Sequence, residues 1–280
     1  MSTYAARPQT PWALRLLPPF PAIAHRILAL ASQETSSAPE VGGLIKLDPS
    51  FSAELLRFAN SALFGVRREV TSLTQAVALL GMDRVKSMAT FVAMNNMVRS
   101  SVRSVALRKV WVHSVVTALV ASEAARISRL DSESAYTAGL LHNLGALGLM
   151  SAYPDEYSRM LEVSDDFGFD LLATERDLFE IDHCQAGAHL AKDWHFPEEL
   201  QLAIATHHEE PMPNLPSMAN LARLAWRFTD TLGYAAFSPP RAWEIAELQA
   251  LLPHVPDSWL CASLEQAQAE IETKLAASPL

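Results

Sequence analysis

Apolar residues recur at spacings of three and four along most of the chain, in AIAHRILALA (22–31), AELLRFANSALF (53–64), KVWVHSVVTALVASEAARI (109–127) and MANLARLAWRFTDTL (218–232). That period lays an apolar stripe along a helix, and no sustained period-two run of β-branched residues competes with it. Start signals flank the stripes. Asp48 before Pro49 reads as an N-cap with proline at the first helical position, and Ser72 with Gln75 has capping-box spacing ahead of AVALL. Asp131 is placed to cap the helix leading into AGLLH, with Glu133 in its first turn, and Pro197-Glu198-Glu199 opens ELQLAIATHH. Breaks fall at 32–39 (SQETSSAP), 209–217 (EEPMPNLPS) and 238–240 (SPP), none long enough to tether separate domains. The pattern predicts an all-α fold, one helical unit with two lobes that divide near residues 100–105. Its expected parts are an irregular lead-in (1–13), an N-terminal helical lobe (14–100), a second helical lobe (101–235) and a helical extension (236–280) packed on the domain.

Composition narrows the class. Half of the 280 residues are hydrophobic and 19% are charged, as in ordinary globular proteins. No uncharged apolar run reaches the roughly 20 residues of a membrane span. The N-terminus lacks the basic start and apolar core of a signal peptide, so a cytoplasmic location is expected, with no membrane contact. A formal net charge of −9 argues against nucleic acid as a partner. The densest basic stretch, RSSVRSVALRK (99–109), reads as a solvated junction between helices. Cys184 and Cys261 show no metal-type spacing. Cys184 directly follows His183, but adjacent helical side chains point about 100° apart, which disfavours a Cys-His nucleophile. FVAMNNMV (91–98) reads as core. Trp12, Trp243 and Trp259 either pack the ends of the chain onto the bundle or mark a contact surface.

The histidines carry the chemical interest. His113 lies among Val110, Val116 and Val120 on an inward helical face, and His142 with Asn143 interrupts the apolar run AGLLHNLGALGL. His183 precedes Gly187 by one turn, where another helix can approach closely, and His207-His208 ends an apolar helix. Singly, each suits a core or capping role, with backbone carbonyls as partners; together they are sensible ligands for a transition metal.

The N-terminal motifs supply a resemblance. LPPFP (17–21), DPSFS (48–52) running into LLRFANSA (55–62), and SLTQAVALLG (72–81) closely resemble, in the same order, the motifs of the HDOD family of bacterial signalling domains. Within them Asn60 either caps its helix or hydrogen-bonds a neighbouring turn. The likeness spans roughly residues 14 to 235. It implies an all-helical fold in which an additional helical bundle precedes a lobe related to HD-domain phosphohydrolases. On that template His113, His142, His183, His207 and His208 resemble the ligand ladder of HD and HD-GYP phosphodiesterases: a His, then HD, then HxxxG, then HH.

The carboxylates of that ladder are absent. Two divalent cations held about 3.5–4 Å apart need anionic bridges, and a neutral amide at Asn143 cannot supply one. Lys109 stands where HD-GYP enzymes carry Glu, Ala146 where they carry Lys, and Trp226 where a final Asp aligns. Asp230, one turn further on, is expected to face solvent, and EEPMPNLP replaces the GYP segment. The resemblance therefore implies a non-catalytic signal-transduction protein, a response-regulator-type or output module without a receiver segment. It would work through contacts with other signalling proteins, with the junction between lobes as the surface a ligand biases. No cofactor is expected, beyond a single transition-metal ion at the vestigial histidines. Two alternatives stay open: a degenerate metal-dependent phosphohydrolase, which needs a carboxylate such as Asp182 or Glu209 beside the histidines, and a module that binds a cyclic dinucleotide without cutting it, which needs convergent Arg or Lys side chains.

Overall fold

The computed structural model describes residues 11–17, 21–60, 70–89, 105–167, 170–237 and 241–252, with positions 92, 269 and 272. Among them are helices and no strand. FVAMNNMV apart from Val92, Cys261, Trp259 and the 238–240 break lie outside the described residues. The first helices are α1 (Ala22–Ala31), α2 (Ala38–Ile45), α3 (Pro49–Ala59), α4 (Leu73–Leu80) and α5 (82–89). Then follow α6 (Val105–Ser128), α7 (Ser132–Leu141), α8 (Leu144–Ala152), α9 (Pro154–Phe167), α10 (Leu171–Phe179), α11 (His183–Asp193), α12 (Glu198–Thr206), α13 (Met218–Thr229) and α14 (Ile245–Gln249).

Local chemistry sets the starts of these helices. Asp48 accepts a hydrogen bond from the Phe51 amide at 2.9 Å, and Asp131 from that of Ser134 at 2.9 Å, each satisfying a donor the helix leaves unpaired. Ser72 is the N-cap of α4 but its side chain makes no cap bond, so the capping box with Gln75 does not form. A capping box does form at Ser37 and Glu40, starting within the stretch expected to be a break and ending just past it, and it starts α2 with Pro39 in the first turn. Residues 105–109 of the basic stretch are the first turn of α6 rather than a junction.

Helices α1 to α4 pack on one another, α2 lying against α4 so closely that a Cβ on Gly42 would sit 3.1 Å from the Thr74 amide. Asn60 ends α3 and is more than a cap. Its side chain receives the Val70 amide at 2.7 Å and donates to the Val70 carbonyl at 2.8 Å, tying the end of α3 to the approach to α4. Losing both bonds leaves Val70 with unpaired backbone groups, so Asn60→Ala should cost about 2 kcal/mol, read as a lower denaturation midpoint with unchanged slope.

Helix α6 packs along α7 and α13, while α8 crosses α11 and α11 leads through α12 to α13. By length and composition Arg108–Ser128 could cross a membrane, but most of it is buried against these neighbours. Two contacts join α5 to α7: Arg84 Nε to Glu133 at 3.1 Å, and the Ser87 and Thr137 hydroxyls at 2.8 Å. The segment Trp12–Leu16 crosses to the second lobe, where Tyr153 donates to the Ala13 carbonyl at 3.0 Å and Trp12 meets the Tyr153 ring at 5.0 Å. Trp12 thus packs the lead-in onto the bundle.

Candidate functional site

Four helices bring the five histidines together. His113 comes from the middle of α6, His142 ends α7, His183 opens α11, and His207 and His208 follow the last turn of α12. The close crossing of α8 and α11 sets this arrangement. A Cβ on Gly145 would lie 1.9 Å from the His183 carbonyl oxygen, and Gly187 stands 3.0 Å from the Gly145 amide as measured from its own would-be Cβ. The close approach expected at Gly187 is therefore present, with Gly145 as its other half. Ring centroids step from His113 to His142 (5.1 Å), to His207 (5.0 Å) and to His183 (5.2 Å), with His208 4.6 Å from His207. His113, His142, His183 and His207 are completely buried.

Hydrogen-bond partners fix the ring tautomers. His142 Nδ1 lies 2.6 Å from the Gly139 carbonyl and His207 Nδ1 2.7 Å from that of Ile204. A carbonyl only accepts, so both Nδ1 atoms carry the proton and both Nε2 atoms present a lone pair. His183 Nδ1 donates to Glu175 Oε2 at 2.7 Å, and the Tyr157 hydroxyl donates to the other oxygen of the same buried carboxylate. The Nε2 atoms of His183 and His207 then face one another at 3.2 Å. Two lone pairs cannot do so unless a proton or a metal ion lies between them. Burial works against a charge on His183, but Glu175, with Cys184, outweighs it and holds this imidazole well above its ordinary pKa. For His142, His207 and His208, burial and then neighbouring imidazoles push the pKa well below the ordinary value. Among the described residues, His142 Nε2, His208 Nε2 and Asn143 Oδ1 are enclosed with no hydrogen-bond partner.

His113 belongs to a different arrangement. Asn143 donates to its Nδ1 at 3.2 Å, and its Nε2 donates to Asp230 Oδ1 at 3.0 Å. The expectation that Asp230 faces solvent is therefore wrong. Asp230 keeps helical backbone angles where α13 runs into a π-helical turn over Asp230–Tyr234, and its carboxylate points at α6. Trp226 lies inside, its ring 4.2 Å from that of His208; Ala146 is buried beside the crossing, and Lys109 is exposed on α6.

Neither carboxylate anticipated beside the histidines is there. Asp182 caps α11 and pairs with Arg176 at 2.6 Å, and Glu209 pairs with Arg223. The acidic neighbours are Glu175 and Asp230. Glu175 was missed because it sits eight residues before its histidine in an unrelated helix, with no spacing to mark it. The basic groups nearby are engaged: Arg223 donates to the Thr206 carbonyl at 3.1 Å, and Arg227 to the His207 and His208 carbonyls at 2.8 and 2.9 Å. Cys184 is also closer to this chemistry than its position suggested, with Sγ 3.9 Å from His207 Nδ1. One ligand atom from each of His183, Cys184, His207 and His208 lies within 4.8 Å of all the others. Imidazoles with outward-donating Nδ1 atoms and a carboxylate behind one of them suit a single transition-metal ion. They do not suit a carboxylate-bridged pair.

Fold and site together define an all-helical unit whose buried carboxylates serve its own histidines. The HDOD domain model matches residues 17–210, and the chain belongs to the HDOD domain family. It is 27% identical over 200 residues to an uncharacterised protein of Treponema pallidum (strain Nichols), across 68% of this chain but only 38% of that protein. The chain thus spans less than half the length of the curated relative it matches. Its fold is similar to that of an HDOD domain protein of unknown function from Geobacter sulfurreducens (TM-score 0.72, 22% identity, 91% of this chain and 92% of that one). It is also similar to a candidate phosphohydrolase from Shewanella amazonensis SB2B (TM-score 0.67, 22% identity, 95% of each).

Proposed function

We propose that this HDOD protein is a non-catalytic regulatory module that acts through contacts with other signalling proteins, in the manner of a response-regulator output unit. One observation carries this reading: both carboxylates in the histidine cluster already act as acceptors, Glu175 for His183 and Tyr157, and Asp230 for His113. With Asn143 at the bridging position, no uncommitted carboxylate among the described residues is left in the cluster to bridge two metal ions against a phosphodiester. The junction between lobes offers the effector surface. A cavity of about 410 Å³ opens there between α1, α5, the start of α7 and the α11–α12 link, and its lining includes His25, Leu28, Lys86, Glu133 and Leu200. That volume is within the range of small-ligand sites or of a partner's anchoring side chain. The cyclic-dinucleotide alternative draws little support from Arg223, which bonds the Thr206 carbonyl and Glu209, or from Arg227, whose two terminal nitrogens bond the His207 and His208 carbonyls and whose Nε is enclosed.

A hydrolase reading keeps one point in its favour, the fold shared with the Shewanella protein. The two readings separate in a single assay. Protein supplied with Mn(II), Fe(II) or Zn(II) should leave bis-p-nitrophenyl phosphate and cyclic di-GMP intact at the rate of a no-protein control. Hydrolysis that disappears in His207→Ala would overturn the regulatory reading.

A further inference from the structure

We propose that His183, Cys184, His207 and His208 form a mononuclear zinc(II) site in which the Cys184 thiolate is the anionic ligand, clamping the start of α11 to the end of α12. The inference concerns the same cluster as the regulatory reading but does not depend on it, since its test reads coordination and not turnover.

Three independent features converge. First, the ligand atoms of the four residues lie within 4.8 Å of one another, and the Nε2 atoms of His183 and His207, 3.2 Å apart, are close to the separation of two ligands in a tetrahedral shell. Second, His208 Nε2 is enclosed with no partner among the described residues, a polar atom whose burial a metal bond would offset. Third, the outer contacts orient the rings: Glu175 holds His183 and the Ile204 carbonyl holds His207, which is the arrangement that presents Nε2 to a metal. Thiolate beside imidazole is a soft ligand set that selects zinc over the manganese or magnesium of oxygen-rich hydrolytic centres. On binding, the Cys184 S–H proton and the proton between His183 and His207 leave to solvent, and the ion takes their place.

The experiment uses the full chain in a Cys261→Ser background, which leaves Cys184 as its single thiol. Chelator-treated protein is titrated with Co(II) and then Zn(II). Expected is about one equivalent of Co(II) with tetrahedral d–d bands in the visible and a thiolate-to-cobalt charge-transfer band in the near ultraviolet, both displaced by Zn(II). Cys184→Ser, checked for folding by circular dichroism, should abolish the charge-transfer band. Glu175→Gln should keep the band but weaken zinc binding by about 10–100-fold, the effect of losing a carboxylate behind a ligating imidazole. Bound zinc should also slow modification of Cys184 by N-ethylmaleimide in the unsubstituted protein, a readout that needs no variant at that position. Cobalt bound without a charge-transfer band, two equivalents of bound metal, or no binding with unchanged thiol reactivity would each overturn the site.

Discussion

Gly145→Ala should abolish the folded state, or leave a protein that unfolds at far lower denaturant than the unsubstituted chain. A Cβ at this position would stand 1.9 Å from the His183 carbonyl oxygen and 2.4 Å from the Gly187 amide nitrogen. Real Cβ contacts do not come under 3.0 Å, and both obstacles are backbone, so no side chain can rotate away. Helices α8 and α11 would have to part by more than an ångström, opening the core on both sides. Overpacking of that kind costs about 3 kcal/mol or more, a large share of the roughly 5–15 kcal/mol that holds a domain together. Gly187→Ala should be milder, because its nearest obstacle is the Ile204 Cγ2 methyl at 2.7 Å, the end of a side chain. Gly43→Ala should go the other way. Nothing lies within 4 Å of its Cβ, and alanine in a helix is worth up to about 1 kcal/mol over glycine. Urea denaturation of the three variants checks the order; a wild-type midpoint for Gly145→Ala would refute the close crossing that sets the positions of His142 and His183.

Acid should unfold the metal-free protein steeply, starting below pH 6.5. Burial and neighbouring imidazoles hold His142, His207 and His208 well below the value of 6.5 that they regain on unfolding. Below pH 6.5 the unfolded chain therefore binds up to three more protons than the folded one, and stability falls as pH falls. At about 1.4 kcal/mol per proton per pH unit, the combined slope reaches roughly 4 kcal/mol per unit. His183 acts in the opposite direction. Its raised folded pKa stabilises the folded state fully below 6.5, and that contribution is lost as pH rises through the folded value. Stability should thus peak near pH 6.5 and decline more gently on the alkaline side. Urea midpoints from pH 5 to 8 in the presence of chelator test this. A flat acid limb would mean that the three imidazoles are already charged in the folded protein, and the lone-pair arrangement described above would fall with it.

Several features were legible in the sequence because they are local. The three- and four-residue period placed α1, most of α6 and α13, and Asp48 and Asp131 cap their helices as their spacing indicated. The start of α2 went unread although Ser37 and Glu40 carried its signal, since the run of small polar residues in SQETSSAP looked like a break. The motifs from LPPFP to SLTQAVALLG determined the family, and the order of the histidines indicated a shared site, because residue identity and order are properties of the chain itself.

Other features only the tertiary structure decided. That Glu175, not Asp182 or Glu209, stands behind His183 depends on how α10 turns into α11. That Asp230 faces His113 depends on which side of α13 packs along α6, which the order of residues along one helix does not state. Cys184 keeps its ligand atom within 4.8 Å of that of its neighbour His183 despite the 100° step between them, and meets His207 because a second helix ends there. The sequence determined which groups are present and which helices carry them. Packing decided which lone pairs face one another, because hydrogen bonds and metal ligation act over about 3 Å, a scale fixed by crossings such as that of Gly145 and Gly187 and not by distance along the chain.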